Sequence, residues 1–306
     1  MMRISLAALM VLFTHAGFAA ALPQPKVVKI NERVYALLGP IELPNKRNQG
    51  YMVNSTIIVG DQGVIVVDTG FTDEIGAHLA KTIAKITPKP VTHVINTHQH
   101  GDHVLGNSAF PNAEIISSEQ CKELVSKTGY ESIALVEEMT QRKFPNTKLV
   151  LATVTFKENT QNEKIIQGVK LMLWVPKGSH TPGDMIVYLP EDRVLIGGDI
   201  LVNGTMPNFR EGHVKNWIDT LEKMQGMDFK IAVPGHGLLM SKADVAAMHK
   251  RMAALYAGIE AGYKQGLTDS EIRKTLDLSE WKKLKRYNEM GANINRVYLE
   301  VEAANF

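Results

Sequence analysis

Thr97-His98-Gln99-His100-Gly101-Asp102-His103 follows directly on Val91-Thr92-His93-Val94-Ile95-Asn96, a β-branched run that reads as a buried strand. Within six residues it offers three imidazoles and one carboxylate. His98 and His100, two apart at a strand end, point the same way, whereas Asp102 and His103 lie past the turn at Gly101 and address a second point. The spacing predicts two adjacent metal sites built from nitrogen and oxygen donors.

A His-x-His pair on its own carries little weight, because most histidines are surface or satisfied core residues. Here three further segments repeat the theme: Gly178-Ser179-His180-Thr181-Pro182-Gly183-Asp184, Gly197-Gly198-Asp199 and Pro234-Gly235-His236-Gly237. Each sets a His or Asp beside glycine after an apolar run, as a loop presents a ligand at a strand's end. The full set, His-x-His-x-Asp-His followed by His, Asp and His, resembles the metallo-β-lactamase superfamily of metal-dependent hydrolases. The resemblance covers nearly all of the chain after about residue 25. It implies that His98, His100 and His180 hold a first metal, that Asp102, His103 and His236 hold a second, and that Asp199 bridges them. It implies two zinc ions per chain; the same donor types also suit iron or manganese.

The N-terminus reads as an export signal over residues 1–21. Arg3 precedes an apolar run from Ile4 to Phe13, and small residues Gly17, Ala19, Ala20 and Ala21 stand before Leu22-Pro23. Such a run is too short to span a membrane, and no cysteine follows it to take a lipid. The expectation is a soluble periplasmic protein whose hydrolase domain covers 22–306. A hydrophobic content of 44% suffices for a sizeable core, and a net charge of +2 gives no nucleic-acid surface. The one cysteine, Cys121, has no disulfide partner and reads as a buried thiol or, second, a reactive one.

Apolar runs over Val27–Leu38, Tyr51–Val59, Gly63–Gly70, Leu149–Phe156, Lys164–Val175, Asp184–Leu189, Arg193–Asp199 and Lys230–Val233 read as strands. Thr72 caps a helix whose apolar face is Ile75, Leu79, Ile83 and Ile86, and two helical segments are expected around residues 118–143. A further helix carries Trp217, Leu221 and Met224 on one face. The pattern supports α/β with an internal duplication; the resemblance implies a four-layer αββα sandwich with the metals at one edge. Residues 241–306 read as a helical C-terminal part of the same domain that helps to roof the site. Val245, Met248, Met252, Leu255 and Ile259 form its stripe, and Leu267–Ile272 carries a capping box.

The implied chemistry is attack by metal-activated water, with Asp102 both ligand and orienter of the nucleophile. Two divalent cations outweigh the carboxylates Asp102 and Asp199, which favours an anionic small-molecule substrate. Asp68, on its own glycine turn, either fixes a ligand by hydrogen bond or merely caps the turn. Of the other histidines only His213 invites attention, since Asn203–Arg210 before it is a potential loop beside the metals. That loop and Lys46–Tyr51 read better as solvated turns. The best-known β-lactamase subclass carries a cysteine ligand and, three residues on, a lysine that grips substrate; here those positions are Asp199 and Val202. A β-lactam is the leading substrate. Alternatives are a thioester or lactone hydrolase of the hydroxyacylglutathione hydrolase type, a mononuclear-iron enzyme like persulfide dioxygenase, and a non-catalytic periplasmic metal-binding protein.

Overall fold

A computed structural model describes residues 22–305. The signal-peptide reading over 1–21 lies outside the described residues.

Val64-Ile65-Val66-Val67 shows why this chain layers. Val64 and Val66 face the helix side of their sheet, among Leu79 and Ile83, while Ile65 and Val67 face the opposing sheet, among Leu171, Val187 and Ile196. A strand with both faces covered has no need of polar alternation, hence the unbroken apolar run.

The first sheet holds β1 (Lys26–Lys29), β2 (Val34–Leu38), β3 (Ser55–Val59), β4 (Val64–Val67), β5 (Val91–Ile95), β6 (Glu114–Ser118) and β7 (Val154–Phe156), in that order. Pairing is antiparallel as far as β4 and parallel beyond it. The second sheet holds β8 (Thr160–Ile166), β9 (Val169–Val175), β10 (Ile186–Leu189), β11 (Val194–Asn203) and β12 (Ile231–Gly237), in reverse spatial order, with only β11 and β12 parallel.

Helix α1 (Asp73–Ile86) covers the first sheet, flanked by α2 (Gly101–Val104) and α3 (Glu119–Thr140). The outer face of the second sheet is covered by α4 (Val214–Gly226), α5 (Lys242–Lys264), α6 (Asp269–Thr275) and α7 (Met290–Ala304). This is the expected α/β, four-layer αββα arrangement. The units β4-α1-β5 and β11-α4-β12 are the same parallel crossover, which accounts for the repeated sequence pattern.

Several expectations needed correction. Val27–Leu38 is a hairpin, because the Asn31 side chain accepts from the Arg33 and Val34 N–H groups and turns the chain. Lys164–Val175 likewise folds back at Gln167-Gly168, both in the left-handed region. Of Leu149–Phe156, only Val154–Phe156 pairs. The two segments around 118–143 are one helix: Ser118 caps it through the Cys121 N–H, Gly129 packs on Leu149 rather than breaking it, and Gln141 ends it in the left-handed region. Cys121 is buried, and burial pushes its thiol up.

The C-terminal stripe Val245, Met248, Met252, Leu255 and Ile259 shares one apolar cluster with Leu195 of β11 and with Trp217 and Leu221 of α4. Capping boxes start α5 at Ser241 with Asp244 and α6 at Thr268 with Glu271. Among the described residues no helix is long and apolar enough to cross a membrane.

Trp217 is fully buried in this cluster and donates to the Ile200 carbonyl at 2.9 Å. Trp217→Ala is expected to cost about 3–5 kcal/mol, and Tyr130→Ala, on the exposed face of α3, less than about 0.5 kcal/mol. Urea unfolding of the two variants beside the parent chain checks both figures.

Candidate metal centre

The potential ligands come from both sheets and meet at one edge. β5 ends at Ile95 and delivers His98 and His100; α2 then carries Asp102 and His103. His180 sits on the loop joining β9 to β10. Buried Asp184 organises that loop by accepting from the Ser179 N–H at 3.2 Å, the Thr181 N–H at 3.0 Å and the Thr181 hydroxyl at 2.8 Å. His236 lies within β12.

Asp199 departs from expectation: it does not end its strand but lies inside β11, where the register to β12 shifts between Ile196 and Val202. An irregularity of this kind re-aims a side chain that regular pleating would bury elsewhere. Gly198 takes a φ of +51° there, and a Cβ on it would meet the Thr97 hydroxyl at 2.5 Å. A Cβ on Gly235 would meet Asp199 Oδ1 at 2.0 Å, so both glycines make room for the site.

Two donor clusters result. In the first, His98 Nε2 and His180 Nε2 lie 3.0 and 3.2 Å from His100 Nδ1, with Asp199 Oδ2 3.6 Å from His180 Nε2. In the second, Asp102 Oδ2 lies 3.2 Å from His236 Nε2 and 3.5 Å from His103 Nε2. Asp199 faces this cluster too, its Oδ1 being 3.3 Å from His236 Nε2 and 3.4 Å from His103 Nε2. Within each cluster the ligand atoms fall inside 4.8 Å of one another.

The far nitrogen of each imidazole is occupied. His103 Nδ1 meets Asp68 Oδ2 at 2.7 Å, His98 Nδ1 the Thr97 hydroxyl at 3.0 Å, and His236 Nδ1 the Met52 carbonyl at 3.2 Å. His180 Nδ1 meets the Asn208 carbonyl at 3.2 Å, and His100 Nε2 lies 3.5 Å from Glu211 Oε2. With those ends engaged, the near nitrogens are left to converge. His103 Nε2 and Asp199 Oδ1 are buried without a hydrogen-bond partner. With Nδ1 engaged by Asp68, His103 Nε2 offers a lone pair, as Asp199 Oδ1 does; two buried lone-pair atoms aimed into the same space fit a cation that both address.

Burial drives His98 and His180 towards the neutral form, His180 to about 3, which leaves a lone pair for a cation. Burial also opposes charge on Asp102, but His103 and His236 beside it prevail and hold its carboxyl at about 2. The same pairing keeps Asp199 ionised against its burial.

The structure brings together all seven residues that the sequence put forward as potential ligands. The sequence reading missed Thr97, Met52, Asn208 and Glu211, which orient them. It also misjudged two loops. Asn48 and Gln49 are buried, with Gln49 accepting from Arg142 at 2.6 Å, so Lys46–Tyr51 is no solvated turn. The segment before His213 does run beside the site, through Asn208 and Glu211. His213 itself caps α4 and pairs with Glu300 at 3.2 Å, away from the clusters.

Fold and donor set define a class, the αββα proteins with a two-cluster His and Asp site that could hold metal. The chain belongs to the metallo-beta-lactamase superfamily, whose family model matches residues 48–236. It is similar to a linear primary-alkylsulfatase of Pseudomonas sp. (strain ATCC 19151), at 26% identity over 268 residues, covering 72% of this chain and 49% of that protein. The chain thus spans about half that relative's length. It is also similar to a metallo-beta-lactamase type 2 of Bacillus sp. (strain 170), at 27% identity over 197 residues, covering 62% of this chain and 68% of the relative. A solved metallo-beta-lactamase from Pontibacter korlensis superposes with a TM-score of 0.60 at 23% identity, over 75% of this chain and 99% of that one.

Asp68 adopts a φ of +60° and also accepts from the Thr97 N–H at 2.8 Å. Asparagine tolerates that backbone, so Asp68→Asn keeps the turn while removing the carboxylate from His103. Metal affinity of the second cluster is expected to fall about 10–100-fold, read by competition with a chelator. An unchanged affinity would reduce Asp68 to a turn cap.

Proposed function

We propose that this chain is an exported dinuclear zinc hydrolase that cleaves a β-lactam or a similar cyclic amide or ester. The observation that carries the reading is Asp199, one oxygen turned to each cluster, between imidazoles whose far nitrogens are already engaged. His98, His100 and His180 would hold one ion, Asp102, His103 and His236 the other, and Asp199 both. Nitrogen and oxygen donors in sets of this size suit zinc. Bound divalent cations make a nucleophile from water near neutral pH and polarise the electrophile.

The protein supplies the rest. Asp102, ionised and nine-tenths buried, is placed to accept a hydrogen bond from the attacking water and so orient it. Thr97, Asp68, Met52 and Asn208 keep the imidazoles from turning, so the donor geometry is prepared before substrate arrives. The buried walls limit the water that competes with substrate for these groups.

The type 2 metallo-beta-lactamase relatives support a β-lactam substrate. Val202, where a substrate-gripping lysine would stand, is buried in the apolar cluster under α4, so no cation meets the substrate carboxylate there and a high KM is expected. The alkylsulfatase match, which spans more of this chain, favours a sulfate ester as the second reading. An anionic substrate suits both. The apolar run with small residues over 1–21 supports export to the periplasm.

The zinc-loaded mature chain is expected to hydrolyse a chromogenic cephalosporin and to stop on addition of chelator. Asp102→Ala should lower turnover at least about 100-fold, whereas Cys121→Ala, altering a buried thiol outside the centre, should leave it within about twofold. Equal activity of the two variants would sink the assignment. A chain that holds two zinc ions without cleaving the cephalosporin would direct the assay to sulfate esters, lactones and thioesters.

A further inference from the structure

His98 leans on the Thr97 hydroxyl and through it on Asp68, but the other two imidazoles of the first cluster take their orientation from a different part of the chain than the second cluster does. In the second, His103 leans on Asp68 and His236 on the Met52 carbonyl, both from the first-sheet half. In the first, His180 leans on the Asn208 carbonyl, and His100 faces Glu211, whose Oε2 also accepts from Gln99 Nε2 at 3.0 Å. Asn208 and Glu211 belong to the loop between β11 and α4.

That loop is held by the last helix. Asn293 accepts from the Phe209 N–H at 3.3 Å and donates to the Pro207 carbonyl at 2.8 Å. Arg296 donates to the Gly212 carbonyl at 2.7 Å. Glu300 accepts from the Val214 and Lys215 N–H groups at 2.8 and 2.9 Å, closing the start of α4. Residues 293, 296 and 300 recur at the three- and four-residue spacing of one helical face. Asn293 and Glu300 are buried, and burying an amide and a carboxylate is unfavourable unless their hydrogen bonds are met. Here the loop backbone meets them. The family model ends at residue 236, so the gripped loop lies within the matched stretch and α7 beyond it.

We propose that α7 sets the metal affinity of the first cluster through this loop and leaves that of the second cluster alone. Asn293 and Glu211 are positioning residues: one fixes the loop, the other fixes the His100 ring so that Nδ1 faces the cluster. The inference rests on the two-ion reading above.

The test is zinc affinity of the full chain, by chelator competition, in two backgrounds. His236→Ala leaves the first cluster complete, and His98→Ala leaves the second cluster's own ligands complete. Asn293→Ala is expected to weaken zinc about 10–100-fold in the first background and less than about twofold in the second. Glu211→Ala, at a half-exposed site that cannot threaten the core, should do the same, with Glu211→Gln restoring most of the loss by keeping an acceptor for His100. Equal losses in both backgrounds, or none in either, would overturn the proposal. A parent chain that binds no zinc would instead overturn the metal reading on which it stands.

Discussion

Five imidazoles packed into one buried corner can be tolerated only if each has a partner at its far nitrogen and a common object at its near one. Leaving a buried polar group unpaired costs about 1–3 kcal/mol, more if it is charged. Much of the local structure answers that demand. Asp68 holds a left-handed backbone so that one carboxylate serves His103, the Thr97 hydroxyl and the Thr97 N–H together. The Thr97 hydroxyl, having donated to Asp68, accepts from His98. His103 Nε2 and Asp199 Oδ1 are two places, among the described residues, where the protein alone does not complete the network.

The same demand ties the sheets together. Asn54, at the start of the third strand, donates to the Pro234 and Gly237 carbonyls on either side of His236, while its backbone N–H donates to the Gly235 carbonyl. The end of β12 that bears His236 is thereby pinned to the opposite sheet. Because the second-cluster donors come from both sheets, any sliding of one against the other would separate them. Interdigitated side chains between the sheets, such as Ile65, Val67, Leu171 and Val187, oppose that sliding.

The candidate donor set was legible because its chemistry is local: glycine-flanked His and Asp after apolar runs can be found without knowing what packs on what. The layered fold was legible for a similar reason, since doubly buried strands show as unbroken apolar runs. What orients the ligands was not. Asn208 acts through its carbonyl, which every residue possesses, and Glu211 reaches Gln99 across 112 residues. The Asp199 strand was cut short in the sequence reading because Gly197-Gly198 looks like a terminus, when it is in fact an irregularity inside a longer strand. In the helix that was expected as two segments, Gly129 serves as a notch for Leu149. The C-terminal residues were read as a roof over the metals and instead work at one remove, gripping a loop.

All seven candidate donors are nitrogen or oxygen, while the chain's one sulfhydryl lies at the start of the third helix, buried and kept in its protonated form. A thiolate ligand is a point of oxidative attack, since sulfenic and sulfinic acids no longer bind a cation as the thiolate does. A donor set without sulfur therefore trades the softness of thiolate for durability of one kind: thiol oxidation and disulfide exchange find no sulfur to modify among the seven candidate donors.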